Sequence, residues 1–159
     1  VYSEPGQGTT FKVYLPRTEE KQNPKTNADG KEITPVDGKH ILVVEDEKSL
    51  RKMMGRMLSG LNYKVTLASN GGEALLLVEE KGLKPDLVIT DVIMPLMNGK
   101  DLVNRLQKKE PDLKVLYMSG YTGNAIIHKG ILDPGTHFIQ KPFTLNNLVD
   151  KIQEVLREG

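Results

Sequence analysis

Five short apolar runs that alternate with helical patterns confine this chain to a narrow choice of folds. The runs are residues 40–44, 63–67, 87–90, 115–118 and 137–139, and each is flanked by Gly, Pro, Asn or Asp. Strands that alternate with amphipathic helices must pair in parallel, because each crossover carries the chain back across a face of the sheet. The intervening segments have helical periodicity. Leu50, Met53, Met54, Met57 and Leu58 form one apolar stripe, and Leu145, Leu148, Val149, Ile152, Val155 and Leu156 form another; both are expected to face the core. Asn70, Asn98 and Thr144 stand where N-caps belong, and Asp101 follows Asn98 at capping-box spacing.

Before the first of these runs the character of the chain changes. Residues 17–38 are polar, with prolines at 24 and 35, and cannot bury enough surface to offset the entropy of ordering them, so they read as a linker. The organisation expected is an N-terminal segment 1–16, the linker 17–38 and an α/β domain 39–159. Lys plus Arg number 22 against 21 Asp plus Glu, a formal charge of +1, which leaves no long-range field for nucleic acid or an anionic membrane. The absence of cysteine excludes disulfides, thiolate metal sites and thiol nucleophiles. No apolar run approaches the roughly 20 residues of a membrane helix. The cytoplasm is the expected location of this segment, whether or not a larger parent is membrane-anchored.

The polar residues that close the runs carry the chemistry. Glu45 and Asp46 follow the first run, Asp91 the third and Ser119 the fourth, while Lys141 comes just after the fifth. In an open parallel sheet the carboxyl ends of the strands lie along one edge, where ligands bind, so all five side chains should converge there. Any one of them could merely cap a helix; together they make an oxygen-rich pocket for a hard divalent cation such as Mg²⁺. Such a cation and the Lys141 ammonium would neutralise a transferring phosphoryl group while Asp91 attacks it and the Ser119 hydroxyl donates to a phosphoryl oxygen.

The segments V-V-E-D-E at 43–47, D-V-I-M-P-L-M-N-G at 91–99, M-S-G-Y-T at 118–122 and K-P-F at 141–143 resemble the receiver domain of bacterial response regulators. The resemblance covers about residues 39–158. It implies a flavodoxin-like (βα)5 three-layer sandwich with strand order 2-1-3-4-5, preceded here by an N-terminal extension strand. It implies Asp91 as phosphoacceptor for a partner's phosphohistidine, Asp46 as direct metal ligand, Glu45 acting through water, and the Ile93 main-chain carbonyl as a further ligand to Mg²⁺. Ser119 and Lys141 match the switch hydroxyl and the phosphate-pairing lysine, Phe138 the switch aromatic, and the Lys141–Pro142 bond is implied to be cis. Phosphorylation would then alter the face formed by the receiver's fourth helix, fifth strand and fifth helix. Glu45 stands where many members of the family have Asp, a small change for a water-mediated role. Ile93 and Tyr121 flank the approach of hydrolytic water in this family, and as bulky groups they should prolong the phosphoryl lifetime.

Ala125, Ile126, Ile127 and Ile131 make the candidate fourth helix apolar, either as core or as a binding patch. His40, His128 and His137 are solitary in sequence and lack metal-ligand spacing. Residues 3–16 resemble the last glycine box and closing strand of a histidine kinase ATPase domain, with Phe11, Val13 and Leu15 alternating as one half-buried strand. The other boxes of that domain are absent, so the segment should have no kinase activity. Its unpaired edges should join the receiver sheet, join another copy or stay unpaired. The order kinase end, linker, receiver resembles a hybrid histidine kinase, with an onward histidine phosphotransfer domain as the second partner and no room after the fifth helix for a DNA-binding effector. Self-association would run through the switch face or the N-terminal strand. A regulatory module that only docks on its kinase is the competing reading. A phosphatase of the haloacid dehalogenase type would need a second acid where Ile93 stands.

Overall fold

The computed structural model describes residues 2–10, 12, 14, 38–121, 132–133 and 135–158. The chain divides into two compact units, Val1–Lys31 and Glu32–Gly159. The linker reading of residues 17–38 falls almost wholly outside the described residues, as do Phe11, Val13, Leu15, His128 and the candidate fourth helix with Ala125, Ile126, Ile127 and Ile131.

The first unit holds a hairpin ahead of the strand that the sequence suggested. β1 (Tyr2–Glu4) pairs antiparallel with β2 (Gly8–Thr10), with Glu4 opposite Gly8. The turn between them has Pro5 at its first central position and Gly6, at φ 80°, at its second, and Gln7 N donates to Glu4 O at 3.0 Å. Proline presets the first angle of such a turn and glycine accepts the positive φ of the second. The strand expected at Phe11, Val13 and Leu15, and with it the pairing foreseen for its edges, lies outside the described residues.

In the second unit, β3 (His40–Val44), β4 (Lys64–Ala68), β5 (Leu87–Asp91), β6 (Lys114–Ser119) and β7 (Phe138–Gln140) form one parallel sheet in the order β4-β3-β5-β6-β7. Counted within this unit the order is 2-1-3-4-5, the flavodoxin-like arrangement. β3 is buried along its whole length, as a central parallel strand must be, and its side chains divide between two cores. Ile41 and Val43 pack with Met54 and Leu58 of α1 (Lys48–Ser59) and with Leu148, Ile152 and Val155 of α4 (Leu145–Arg157). Leu42 and Val44 pack with Ala74 of α2 (Gly71–Leu75) and with Leu102 and Leu106 of α3 (Gly99–Gln107). Alternation along one strand thus builds the three layers.

The helices start where the caps predict: Asn70, Asn98 and Thr144 accept from the backbone N–H groups of Glu73, Asp101 and Asn147. Asp101 does not close a capping box in the usual way, because its carboxylate takes its bond from the Asn98 side-chain amide, at 2.8 Å. One stripe residue is corrected. Met53 lies at the edge of the apolar arc of α1 and is 45% exposed. A π-helical turn, Leu76–Glu80, continues directly from α2, and nothing in the spacing announces it.

Candidate functional site

The carboxyl edge of the sheet gathers the polar residues. Glu45 extends the ladder of β3 by one bond, its N–H donating to Ala68 O at 3.1 Å, and this turns its side chain inward until only 1% of it is exposed. Asp46, one residue on, is exposed. Asp91 is the last residue of β5, and Val92 N still donates to Met118 O at 2.9 Å, so the carboxylate leaves the sheet from a fixed backbone. Ser119 likewise is the last residue of β6 rather than the first after it, and is buried. Lys141 N donates to Ser119 O at 2.7 Å, which places the lysine one step beyond β7.

Four of these side chains are brought together, and Ser119 is tied to them through its main-chain carbonyl. Lys141 Nζ lies 2.7 Å from Asp91 Oδ2 and 2.7 Å from Glu45 Oε2. Glu45, Asp46 and Asp91 each present a carboxylate oxygen within 4.8 Å of the other two. The remaining oxygen of Asp91, Oδ1, accepts from Ile93 N at 3.3 Å, and Ser119 Oγ accepts from Tyr121 N at 3.0 Å. Burial raises the Glu45 carboxyl above its ordinary value, and the Lys141 hydrogen bond only partly reverses this. For Lys141 the balance is opposite: burial pulls the ammonium down, but hydrogen bonds to Asp91 and Glu45 outweigh it and hold the group above its usual range. A fifth-exposed ammonium shared by two carboxylates is satisfied, whereas the carboxylate buried beneath it is still short of charge compensation.

Formally three carboxylates face one ammonium here, an excess that a divalent cation would balance. The donor set is all oxygen, with one member exposed, which fits Mg²⁺ retaining part of its water shell. The loop that carries Asp91 is held tightly. Gly99 N donates to Val92 O at 2.9 Å, and a Cβ on Gly99 would sit 2.2 Å from Asp91 O, so only glycine lets the backbone turn back so closely. Ile93 and Tyr121 stand at the rim, 53% and 49% exposed. Phe138 is half-buried against a small cluster that includes Val103, Val115 and Tyr117. The Lys141–Pro142 peptide is cis.

Two supporting residues escaped the sequence reading. Glu47 caps α1, its carboxylate accepting from Ser49 N at 3.2 Å. Arg51 reaches back from α1 with Nη1 2.5 Å from Glu45 O and 3.0 Å from Asp46 O, which pins the acidic loop to the helix. A cation near a helix N-terminus opposes the macrodipole, and that conflict is the signal that could have found Arg51. His40 bonds Thr66 Oγ1 at 2.8 Å at the opposite edge of the sheet. His137 is solitary only in sequence: its Nε2 lies 2.9 Å from Glu158, and with Glu154 it forms a second group of potential ligands.

The model of the response regulator receiver domain matches residues 41–153. The chain belongs to the response regulator receiver family. Receiver domains are the phosphoacceptors of two-component systems and normally bind Mg²⁺ at their acidic pocket. This receiver is similar to part of the Sensor kinase CckA of Brucella abortus, with 39% identity across 98% of the chain and 17% of that protein's length. The crystal structure of the receiver domain from Hybrid Histidine Kinase CckA superposes with a TM-score of 0.62 at 32% identity, covering 74% of this chain and 99% of that one. The response regulator TrrA of Thermotoga maritima, solved in complex with Mg²⁺ and BeF, gives 0.61 at 29% identity over 74% of this chain and 98% of that one. Among the described residues no helix is long and apolar enough to cross a membrane.

Proposed function

We propose that Asp91 is the phosphoacceptor and that Lys141, Ser119 and the carboxylates of Glu45 and Asp46 serve it. The observation that carries this reading is the shared ammonium: Lys141 Nζ touches Asp91 and Glu45 at 2.7 Å each, so the acceptor carboxylate is fixed, partly charge-compensated and 15% exposed toward solvent. An oxygen of Asp91 forms the new bond to phosphorus while the bond from phosphorus to the partner's imidazole nitrogen breaks, and the imidazole departs with that electron pair. Lys141, already in contact with Asp91, pairs with the phosphoryl oxygens as their charge spreads. The Ser119 hydroxyl, one strand away, donates to one of them. Asp46, Asp91 and the Ile93 carbonyl would hold Mg²⁺ directly and Glu45 through water; the cation would supply charge neutralisation at the phosphoryl oxygens. Phe138, half-buried beside Tyr117, would be the side chain that follows a movement of Ser119.

Residues ahead of the receiver support a larger setting. The similarity to the sensor kinase covers 98% of the chain, whereas the solved receiver domain covers 74%, so the N-terminal hairpin and the segment joining it to the receiver have a counterpart in the kinase. We read residues 1–16 as the end of a kinase ATPase domain, 17–38 as linker and 39–159 as receiver, within a cytoplasmic portion of a hybrid histidine kinase. The receiver would take its phosphoryl group from the kinase histidine and pass it to a histidine phosphotransfer domain.

Acetyl phosphate or beryllofluoride with Mg²⁺, applied to wild type and Asp91→Asn, tests the assignment. A magnesium-dependent response in wild type alone supports it; an equal response in the variant rejects it.

A further inference from the structure

Leu96 combines two features that stability alone would remove. It is completely exposed, and its φ is 68°, the left-handed region that suits glycine rather than leucine. Met97 N donates to Pro95 O at 2.8 Å, so Leu96 is the central residue of a γ-turn with positive φ, a rare and strained form. The loop around it is held on both sides. Ile93 N is bonded to Asp91 Oδ1 at 3.3 Å, Gly99 N closes the neck on Val92 O at 2.9 Å, and Met94 is buried. Met97 lies against α2, where a Cβ on Gly71 would come within 2.8 Å of its sulfur. Met94 and Met97 turn inward, while Leu96, next to exposed Pro95, stands out in water on the loop that begins at Asp91. Strain of this kind persists at sites where it serves recognition or reaction, and an exposed apolar side chain beside such a site marks contact with another protein.

We infer that Leu96 is the docking anchor for the protein that presents the phosphohistidine, a reading that rests on Asp91 being the acceptor. Exchange of a phosphoryl group brings the partner's imidazole within bonding reach of the phosphorus on Asp91, itself only 15% exposed, so the partner must cover the rim around it. Besides the exposed Asp46, the residues on the loops around Asp91 include Ile93, Leu96 and Tyr121, all exposed and none charged. The partner surface that fits is therefore apolar beside its histidine. Holding Leu96 outward in one backbone state before the encounter reduces the ordering cost of binding.

The test compares two donors on the full chain: phosphoramidate, which needs no protein surface, and the radiolabelled, autophosphorylated Brucella abortus sensor kinase CckA lacking only the part that aligns with residues 39–159, so that its ATPase domain stays whole. Leu96→Gly relieves the strain and deletes the anchor. It should slow transfer from the kinase about tenfold or more while labelling by phosphoramidate stays within about twofold of wild type and the melting temperature is unchanged or higher. Leu96→Met keeps an apolar anchor and should transfer from both donors like wild type. Equal slowing with both donors would show that Leu96 only shapes the loop, and undiminished transfer from the kinase to Leu96→Gly would show that it is not an anchor; either result overturns the inference, as does a wild type that phosphoramidate labels but the kinase does not. Failure of the underlying reading looks different, because Asp91→Asn would then be labelled by phosphoramidate as wild type is.

Discussion

The Lys141 ammonium lies 2.7 Å from a carboxylate oxygen of Asp91, a residue fifty positions earlier in the chain, and the same nitrogen lies 2.7 Å from Glu45, ninety-six positions away. Its removal exposes two roles at once. Lys141→Met should lower the rate of labelling by phosphoramidate by about 10²-fold, the usual loss when a preorganised donor to a transferring group is deleted. It should also cost roughly 1–3 kcal/mol of stability, because Glu45 is left buried without its counter-charge. Urea titrations and single-turnover labelling measure the two separately.

Glu45 should make the folded state sensitive to pH in a defined direction. Burial raises its carboxyl above the ordinary 4.5, so between that pH and the raised value the folded chain keeps a proton that the unfolded chain has released. This group's contribution to stability is complete below pH 4.5 and is lost as pH rises through the folded value. Lys141, also raised, contributes fully below 10.5 and loses that only in stronger alkali. Glu73 and Asp86 are lowered and act oppositely in acid, so the quantity to follow is the difference between wild type and Glu45→Gln. Thermal melts should show wild type losing ground to the variant from pH 4.5 toward neutrality, and a flat difference would contradict the burial of this carboxylate.

Magnesium should recover that loss. At neutral pH, saturating Mg²⁺ should raise the wild-type melting temperature by a few degrees, equivalent to about 2–3 kcal/mol at a hundredfold excess over Kd. Asp46→Asn should abolish most of the shift, since it supplies the exposed carboxylate of the group.

Gly99→Ala should be among the most damaging small substitutions in the receiver. The added Cβ would fall 2.2 Å from Asp91 O and 3.1 Å from its carbonyl carbon, so the backbone of the acceptor itself must move. A loss of roughly 2–4 kcal/mol is expected, with labelling reduced even in the fraction that remains folded, and denaturant melts beside labelling yields check both.

Ile93 and Tyr121 should govern how long the phosphoryl group survives. Both stand exposed at the rim of Asp91, where apolar bulk hinders the approach of water. Replacement by Asn at both positions should shorten the half-life of the phosphorylated form several-fold, followed by loss of radiolabel after the donor is removed. A half-life no shorter than that of wild type would remove this role.

Much of this site was legible because it depends on chain order. Runs of apolar residues with helical segments between them permit few alternatives to a parallel sheet, and a parallel sheet brings every strand end to one edge; Glu45, Asp46, Asp91, Ser119 and Lys141 could therefore be placed together without coordinates. The caps at Asn70, Asn98 and Thr144 are equally local, since each side chain bonds a backbone group three residues on.

What only the tertiary structure decided depends on distances between segments remote in sequence, or on backbone angles that no side-chain pattern encodes. Glu45 and Asp46 are neighbouring acids, yet one is buried beneath Lys141 and the other faces water, because successive residues at a strand end point to opposite sides. Periodicity marks Met53 as core, but its place at the edge of the stripe leaves it exposed. The N-terminal hairpin arose from the Pro5–Gly6 turn, while the sequence pattern drew attention to the alternation further along the segment. Leu96 reads in sequence as one more apolar residue between Pro95 and Met97. Its positive φ and full exposure, on the loop that follows Asp91, are visible only in the folded chain.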